Sequence, residues 1–138
     1  IHRNPYEVYS STKYLYEKAV KTQFLQEFSE KEIEERIIYC YEKSMQKYLE
    51  HKHLIPEESL FEISFNELET QPIKSLEKMY SKLNISDFNK NKTLFTTYLE
   101  TVKSYKKNQL VDIHSDVKDQ INTRWKFAFE NWKYEIVD

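Results

Sequence analysis

Apolar residues recur along this chain at the three- and four-residue spacing of amphipathic helices, and alternate one by one in a single short stretch. Asn4 followed by Pro5 marks the first helix start, because Asn caps and Pro at the first helical position gives up a donor that has no partner there. The spacing predicts a helix from Pro5 to about Phe24, with Val8, Leu15, Ala19 and Val20 inward and Lys13, Glu17, Lys18 and Lys21 elsewhere. Ser29-Glu30-Lys31-Glu32 reads as a capping box opening a second helix to about His51, whose stripe is Ile33, Ile37, Tyr41, Met45 and Tyr48. Pro56 breaks that pattern, and alternation at Phe61, Ile63 and Phe65 predicts a strand over residues 60–65.

Helical spacing resumes after Pro72 with Ile73, Leu76, Met79, Tyr80 and Leu83, and Asn84 stands where a helix end favours a left-handed residue. Ser86 is the expected cap of a fourth helix that turns Phe88, Phe95, Leu99 and Val102 inward. Ser115 is the expected cap of a last helix with the stripe Val117, Ile121, Trp125, Ala128 and Trp132. The inventory is therefore mostly α: about five helices and one or two short strands. A lone strand leaves backbone groups unpaired, so it implies a larger sheet.

Composition narrows the chemistry. Among 138 residues, 21 Lys+Arg stand against 23 Asp+Glu, for a formal charge of −2, which does not favour nucleic acid as a partner. The length predicts one domain. Glycine is absent, where average usage of about 7 % predicts about ten residues. Glycine-rich dinucleotide turns and phosphate loops are therefore excluded, since they need backbone conformations and close approaches that only glycine allows. The one cysteine, Cys40, forms no internal disulfide or Cys-based zinc site; among apolar neighbours it reads as a buried, inert thiol, compatible with a reducing compartment such as the cytoplasm. No apolar run reaches the ~20 residues of a membrane span, so no membrane partner is expected. His51-Lys52-His53 places its histidines on different sides of a helix and reads as solvated rather than metal-binding. The acidic group Glu30, Glu32, Glu34 and Glu35 is a favourable first helical turn rather than a metal cluster. His2, beside a cation, is expected to lose its proton readily and to pack rather than catalyse.

The segment from Ile1 to Ser11 carries the most chemistry. Arg3 stands where an extended segment meets a capped helix start, and backbone amides, helix dipole and forked guanidinium together suit a phosphate. Ser11, eight residues on, adds a hydroxyl two turns into the helix. The competing arrangement pairs Arg3 with Glu7 and turns the Ser11 hydroxyl back onto its own helix.

Arg3-Asn4-Pro5 with Glu7 and Ser11 resembles the 3′-phosphate-binding segment of sulfotransferases that use 3′-phosphoadenosine-5′-phosphosulfate (PAPS). Downstream, Leu54-Ile55-Pro56, Leu60 to Leu68 and Gln71-Pro72 resemble that family's strand, acidic turn and Pro-started helix. Tyr105-Lys106-Lys107-Asn108 resembles its basic turn, and Arg124 to Tyr134 resembles the terminal helix of its bacterial and carbohydrate-type branch. The chain departs from the pattern at Asn66, and at Asn108, Lys126 and Lys133, where the family frequently has glycine.

The resemblance implies an α/β parent fold, a P-loop-like parallel sheet with flanking helices. It further implies that residues 1–138 are the C-terminal portion of one such domain, with the 5′-phosphosulfate loop and the general base lying ahead of Ile1. By the same resemblance Arg3 and Ser11 hold the 3′-phosphate, helped by Lys106 and Lys107, while no catalytic residue falls in this stretch. The implied reaction moves a sulfonate group from PAPS to a hydroxyl or amine of a small molecule or carbohydrate, leaving adenosine 3′,5′-bisphosphate. The alternative is a non-catalytic helical module that binds a protein partner. Apolar faces meant for a sheet are expected to favour self-association.

Overall fold

The computed structural model describes residues 1–105 and 112–137, in which two compact units are interleaved along the chain. One unit comprises Asn4–His51 with Asn108–Asp138, the other Ile1–Arg3 with Lys52–Lys107. The described residues contain seven α-helices and three short 3₁₀ turns.

The first of these units is built from α1 (Pro5–Lys18), α2 (Glu30–His51), α6 (Ser115–Arg124) and α7 (Lys126–Trp132). Its core is Tyr9, Ile37, Ile38, Val117, Ile121, Trp125 and Phe129. Trp125 is fully buried, and its indole N–H donates to the Ile38 carbonyl at 3.0 Å, so the largest side chain in the core leaves no donor orphaned. Tyr41 lies against the same indole with ring centroids 4.1 Å apart, and burial pushes its phenol up to about 12. The stripes expected on the second and last helices are thus the ones that pack. The capping box is also in place, with the Ser29 amide donating to Glu32 Oε2 at 2.8 Å and the Glu32 amide to Ser29 Oγ at 3.3 Å.

Five expectations in this unit are corrected. The first helix ends at Lys18, not near Phe24: Ala19 leaves helical geometry, Val20–Gln23 form a 3₁₀ turn, and Phe24 packs against Tyr16 and Phe28. Its buried face is Pro5, Tyr9, Ser10 and Lys13, while Leu15 is half exposed, because Tyr9 brings more ring area to the core than the aliphatic positions do. The last helix is two: the chain breaks at Trp125 (φ −104°, ψ 11°), the residue that fills the core, although its inward stripe continues across the break. Ser115 is the first helical residue and His114 the cap. Cys40, expected inside, is exposed, because Ile37 and Ile38 occupy the core-facing side of α2 at that turn.

The other unit is built from α3 (Phe65–Thr70), α4 (Pro72–Lys82) and α5 (Phe88–Val102), with the tripeptide Ile1–Arg3 laid beside residues 63–65. The expected strand is absent from the described residues. A single parallel bridge, His2 to Ser64, stands in its place. The His2 amide donates to the Ile63 carbonyl at 3.0 Å and the Phe65 amide to the His2 carbonyl at 2.7 Å. The ladder stops there because Ser64 caps α3, its hydroxyl accepting from the Glu67 amide at 3.0 Å, which turns the chain helical at Phe65. A parallel sheet of the implied parent fold is likewise not found among the described residues.

Beyond α3, Pro72 opens α4, and Asn84 takes the left-handed conformation (φ 52°) just past its end, as its sequence position predicts. Tyr80 joins α4 to α5 through Phe88 and Phe95, at 5.3 and 5.9 Å between centroids. Ser86 is not the cap of α5. Asp87 occupies that place in a left-handed conformation, held by the Ser86 hydroxyl at 3.1 Å and the Lys90 ammonium at 2.5 Å.

Candidate functional site

The backbone pairing of His2 with Ile63 and Phe65 fixes where the following side chain emerges. Arg3 is half-buried and its guanidinium lies over the Phe65 ring, 4.5 Å from the centroid. A planar cation stacked on an aromatic face keeps its in-plane N–H groups directed around the rim, which suits bidentate recognition of an oxyanion. His2 itself is half-buried, and its imidazole is held below its ordinary range, first by burial, against the upward pull of Glu62 and Glu67. It is therefore neutral at pH 7, in keeping with a packing role.

At the start of α1, the Asn4 carboxamide accepts the Tyr6 amide at 3.0 Å, Pro5 has no amide, and the Asn4 carbonyl accepts from Val8 at 3.0 Å. This is the cap expected from the sequence, but it spends the Tyr6 amide that would otherwise serve an anion. The donors this segment brings to a phosphate are therefore mainly side chains. Ser11 is exposed on the second turn of α1, whereas Ser10 beside it is buried. On the following turns Lys18 sits over the Tyr14 ring at 5.9 Å. Arg3 and Ser11 belong to different compact units, and Lys106 and Lys107 lie outside the described residues.

Sequence reasoning missed Lys13. It reads as a solvent-facing cation, yet it is buried and donates at 2.8 Å to both Glu30 and Glu34. The only available signal was the four-residue spacing of Tyr9 and Lys13. The acidic start of α2 also divides its work: Glu32 closes the capping box, Glu30 and Glu34 take Lys13, and Glu35 joins Glu42 on Arg124. Near the end of α2, His51 Nδ1 lies 2.8 Å from the Lys47 carbonyl. Among the described residues no group of three or more His, Cys, Asp or Glu is arranged to hold a metal ion, and no helix is long and apolar enough to cross a membrane.

Residues 1–90 match the family model described as the sulfotransferase family, a span that includes Arg3, Ser11 and the whole of α1 to α4. No curated protein and no solved structure matches the chain. The match covers well over half of the 138 residues and contains the two side chains singled out for an oxyanion, and on it the chain belongs to the sulfotransferase family.

Proposed function

We propose that the protein takes part in sulfonate transfer from PAPS to a hydroxyl or amine acceptor, a small molecule or carbohydrate, and that this stretch binds the 3′-phosphate side of the donor. One observation carries the reading: the family match includes the segment from Arg3 to Ser11. The donor set fits the group, since a guanidinium and an exposed hydroxyl both give hydrogen bonds and a phosphate oxygen only accepts them.

When bound, PAPS supplies the sulfonate and leaves as adenosine 3′,5′-bisphosphate. Arg3 gives two parallel charge-assisted hydrogen bonds to the 3′-phosphate, and Phe65 holds the guanidinium plane that gives them. Ser11 donates its hydroxyl, and Asn4 sets the first turn of α1 that carries it. Lys106 and Lys107 add positive charge to the same phosphate. None of these residues moves the acceptor's proton; they position the donor.

Thermal-shift titration with adenosine 3′,5′-bisphosphate, set against adenosine 5′-monophosphate, tests the assignment. The bisphosphate is expected to raise the melting temperature and the monophosphate to leave it unchanged. Arg3→Lys keeps a cation near Phe65 but loses the fork, at about 1.5–3 kcal/mol or at least tenfold in affinity. An Arg3→Lys variant that binds as well as the parent removes Arg3 from the site. Equal shifts with both nucleotides, or none with either, turn the reading towards a helical interaction module.

A further inference from the structure

We infer that Tyr6 is a positioning residue for the donor site proposed above, an inference that rests on that reading, and that it fixes the start of α1 through a closed cycle of hydrogen bonds with Asn122 and Val137. The Val137 amide donates to the Tyr6 phenol oxygen at 3.0 Å, the phenol donates to Asn122 Oδ1, and Asn122 Nδ2 donates to the Val137 carbonyl at 3.4 Å. Each of the three residues gives one hydrogen bond and takes one, so the bonds reinforce one another. The aromatic ring of Tyr6 meanwhile lies against Phe129, with centroids 5.0 Å apart.

Local structure explains how residue 137 comes back to residue 6. α7 ends in the left-handed turn at Lys133, with the Tyr134 amide on the Phe129 carbonyl at 3.0 Å, and this reversal returns the following residues to the start of α1. Tyr134 packs against the core, but Ile136 and Val137 stay 42 and 53 % exposed, so apolar packing does little to hold them in place. The hydrogen-bonded cycle does so instead.

Tyr6 is thus held at both ends, its amide by the Asn4 carboxamide at 3.0 Å and its phenol by the cycle. Tyr9 and Lys13 continue the same side of α1 at three- and four-residue intervals, and both are buried. At 100° per residue Ser11 stands about 140° round the helix from Tyr6, so anchoring the inner side turns the Ser11 hydroxyl outward, where it is exposed. Tyr6 is the one of these anchors nearest the capped start, and a shift of about 1 Å in a positioning group weakens an oriented contact severely. Binding and the cycle are then linked: whatever the cycle contributes to holding the phosphate, an occupied site returns to the cycle.

Isothermal titration with adenosine 3′,5′-bisphosphate, well below the melting temperature so that parent and variants are all folded, tests this. Tyr6→Phe keeps the aromatic ring against Phe129 and loses the phenol, and its affinity is expected to fall roughly three- to tenfold. Asn122→Ala, with Tyr6 intact, is expected to do the same. The double variant should bind no more weakly than the weaker single one, since either change opens the cycle. Ile38→Val, in the core of the same unit, is expected to lower the melting temperature and leave the affinity unchanged. By hydrogen exchange, the bisphosphate should slow the Val137 amide in the parent and not in Tyr6→Phe. If the parent binds and Tyr6→Phe binds equally well, the role of Tyr6 alone is overturned. An additive double variant, an equal loss in Ile38→Val, or a Val137 amide indifferent to the ligand has the same consequence. A parent that binds no bisphosphate overturns this role together with the reading beneath it.

Discussion

Lys13 shows how a charge is carried inside a small helical protein. Its side chain is 6 % exposed, and burial alone opposes the ammonium, yet hydrogen bonds to Glu30 and Glu34 outweigh that and raise its pKa above the ordinary lysine range. Glu34 is itself largely buried, at 15 % side-chain exposure, and depends on the same ammonium. Lys13→Met is therefore expected to cost about 1–3 kcal/mol in urea unfolding, mostly through the carboxylate it strands. Adding Glu34→Gln to that variant should recover part of the loss, and a double variant no better than the single one counts against the pairing. Hydropathy spacing misplaced this residue for a physical reason. Counting apolar positions scores Tyr9 and Lys13 as polar and Leu15 as core, while the fold buries a ring and satisfies a cation with carboxylates 17 and 21 residues away.

At the scale of the element, a chain with no glycine still has to end helices in left-handed geometry. Asn84, Asp87 and Lys133 do so at φ 52°, 67° and 56°. Asn and Asp tolerate this conformation, but lysine has no local hydrogen bond to offset the steric cost of its Cβ. Lys133→Gly is expected to stabilise the protein by about 1 kcal/mol, whereas Lys126→Gly, at the first position of α7, is expected to destabilise it by up to about 1 kcal/mol. Calorimetric melting of the two variants should move in opposite directions; a fall for Lys133→Gly contradicts the argument. The family pattern favours glycine at both positions, but only one has a backbone that requires it. Locally encoded features were legible in the sequence: the Asn4 cap, the capping box at Ser29, the Pro72 start, the turn at Asn84. The break at Trp125 was not, because it answers to Ile38 and Tyr41, more than eighty residues earlier. α3 was not legible either, since six residues are too few to show a period and one serine cap redirects them out of an alternating pattern.

For the whole molecule, the acidic side of the pH range is where stability is lost. The His2 pKa is lowered on folding, so the unfolded chain binds its proton first, and stability declines as pH drops through about 6.5. Burial pushes Glu42 up, but the Arg124 guanidinium outweighs this and holds its carboxyl below the usual range. Lys13 lowers Glu30 by a hydrogen bond. Lowered carboxylates stabilise the fold above their unfolded value and lose that contribution as pH falls below about 4.5. Urea unfolding at stepped pH should show both declines; His2→Gln is expected to remove the upper one and Arg124→Gln to flatten the lower, and an unchanged profile in either variant refutes its assignment. The proposed donor site was legible as residue types rather than as geometry. An arginine ahead of a capped helix and a hydroxyl eight positions later stand out in a bare sequence, but Phe65 beneath the guanidinium does not, lying sixty-two residues away.

The interleaving of the two units gives the tripeptide Ile1–Arg3 an importance out of proportion to its length. Ile1, His2 and Arg3 belong to one unit while Asn4, bonded to them, belongs to the other. Replacing these three residues by a flexible tripeptide would be no cosmetic change. It would remove the His2 backbone groups that pair with the Ile63 carbonyl and the Phe65 amide and take the cation off the Phe65 ring, loosening a segment more than half a hundred residues downstream. A cleavage site engineered at Arg3 would therefore disturb the packing of a unit whose other residues begin at Lys52.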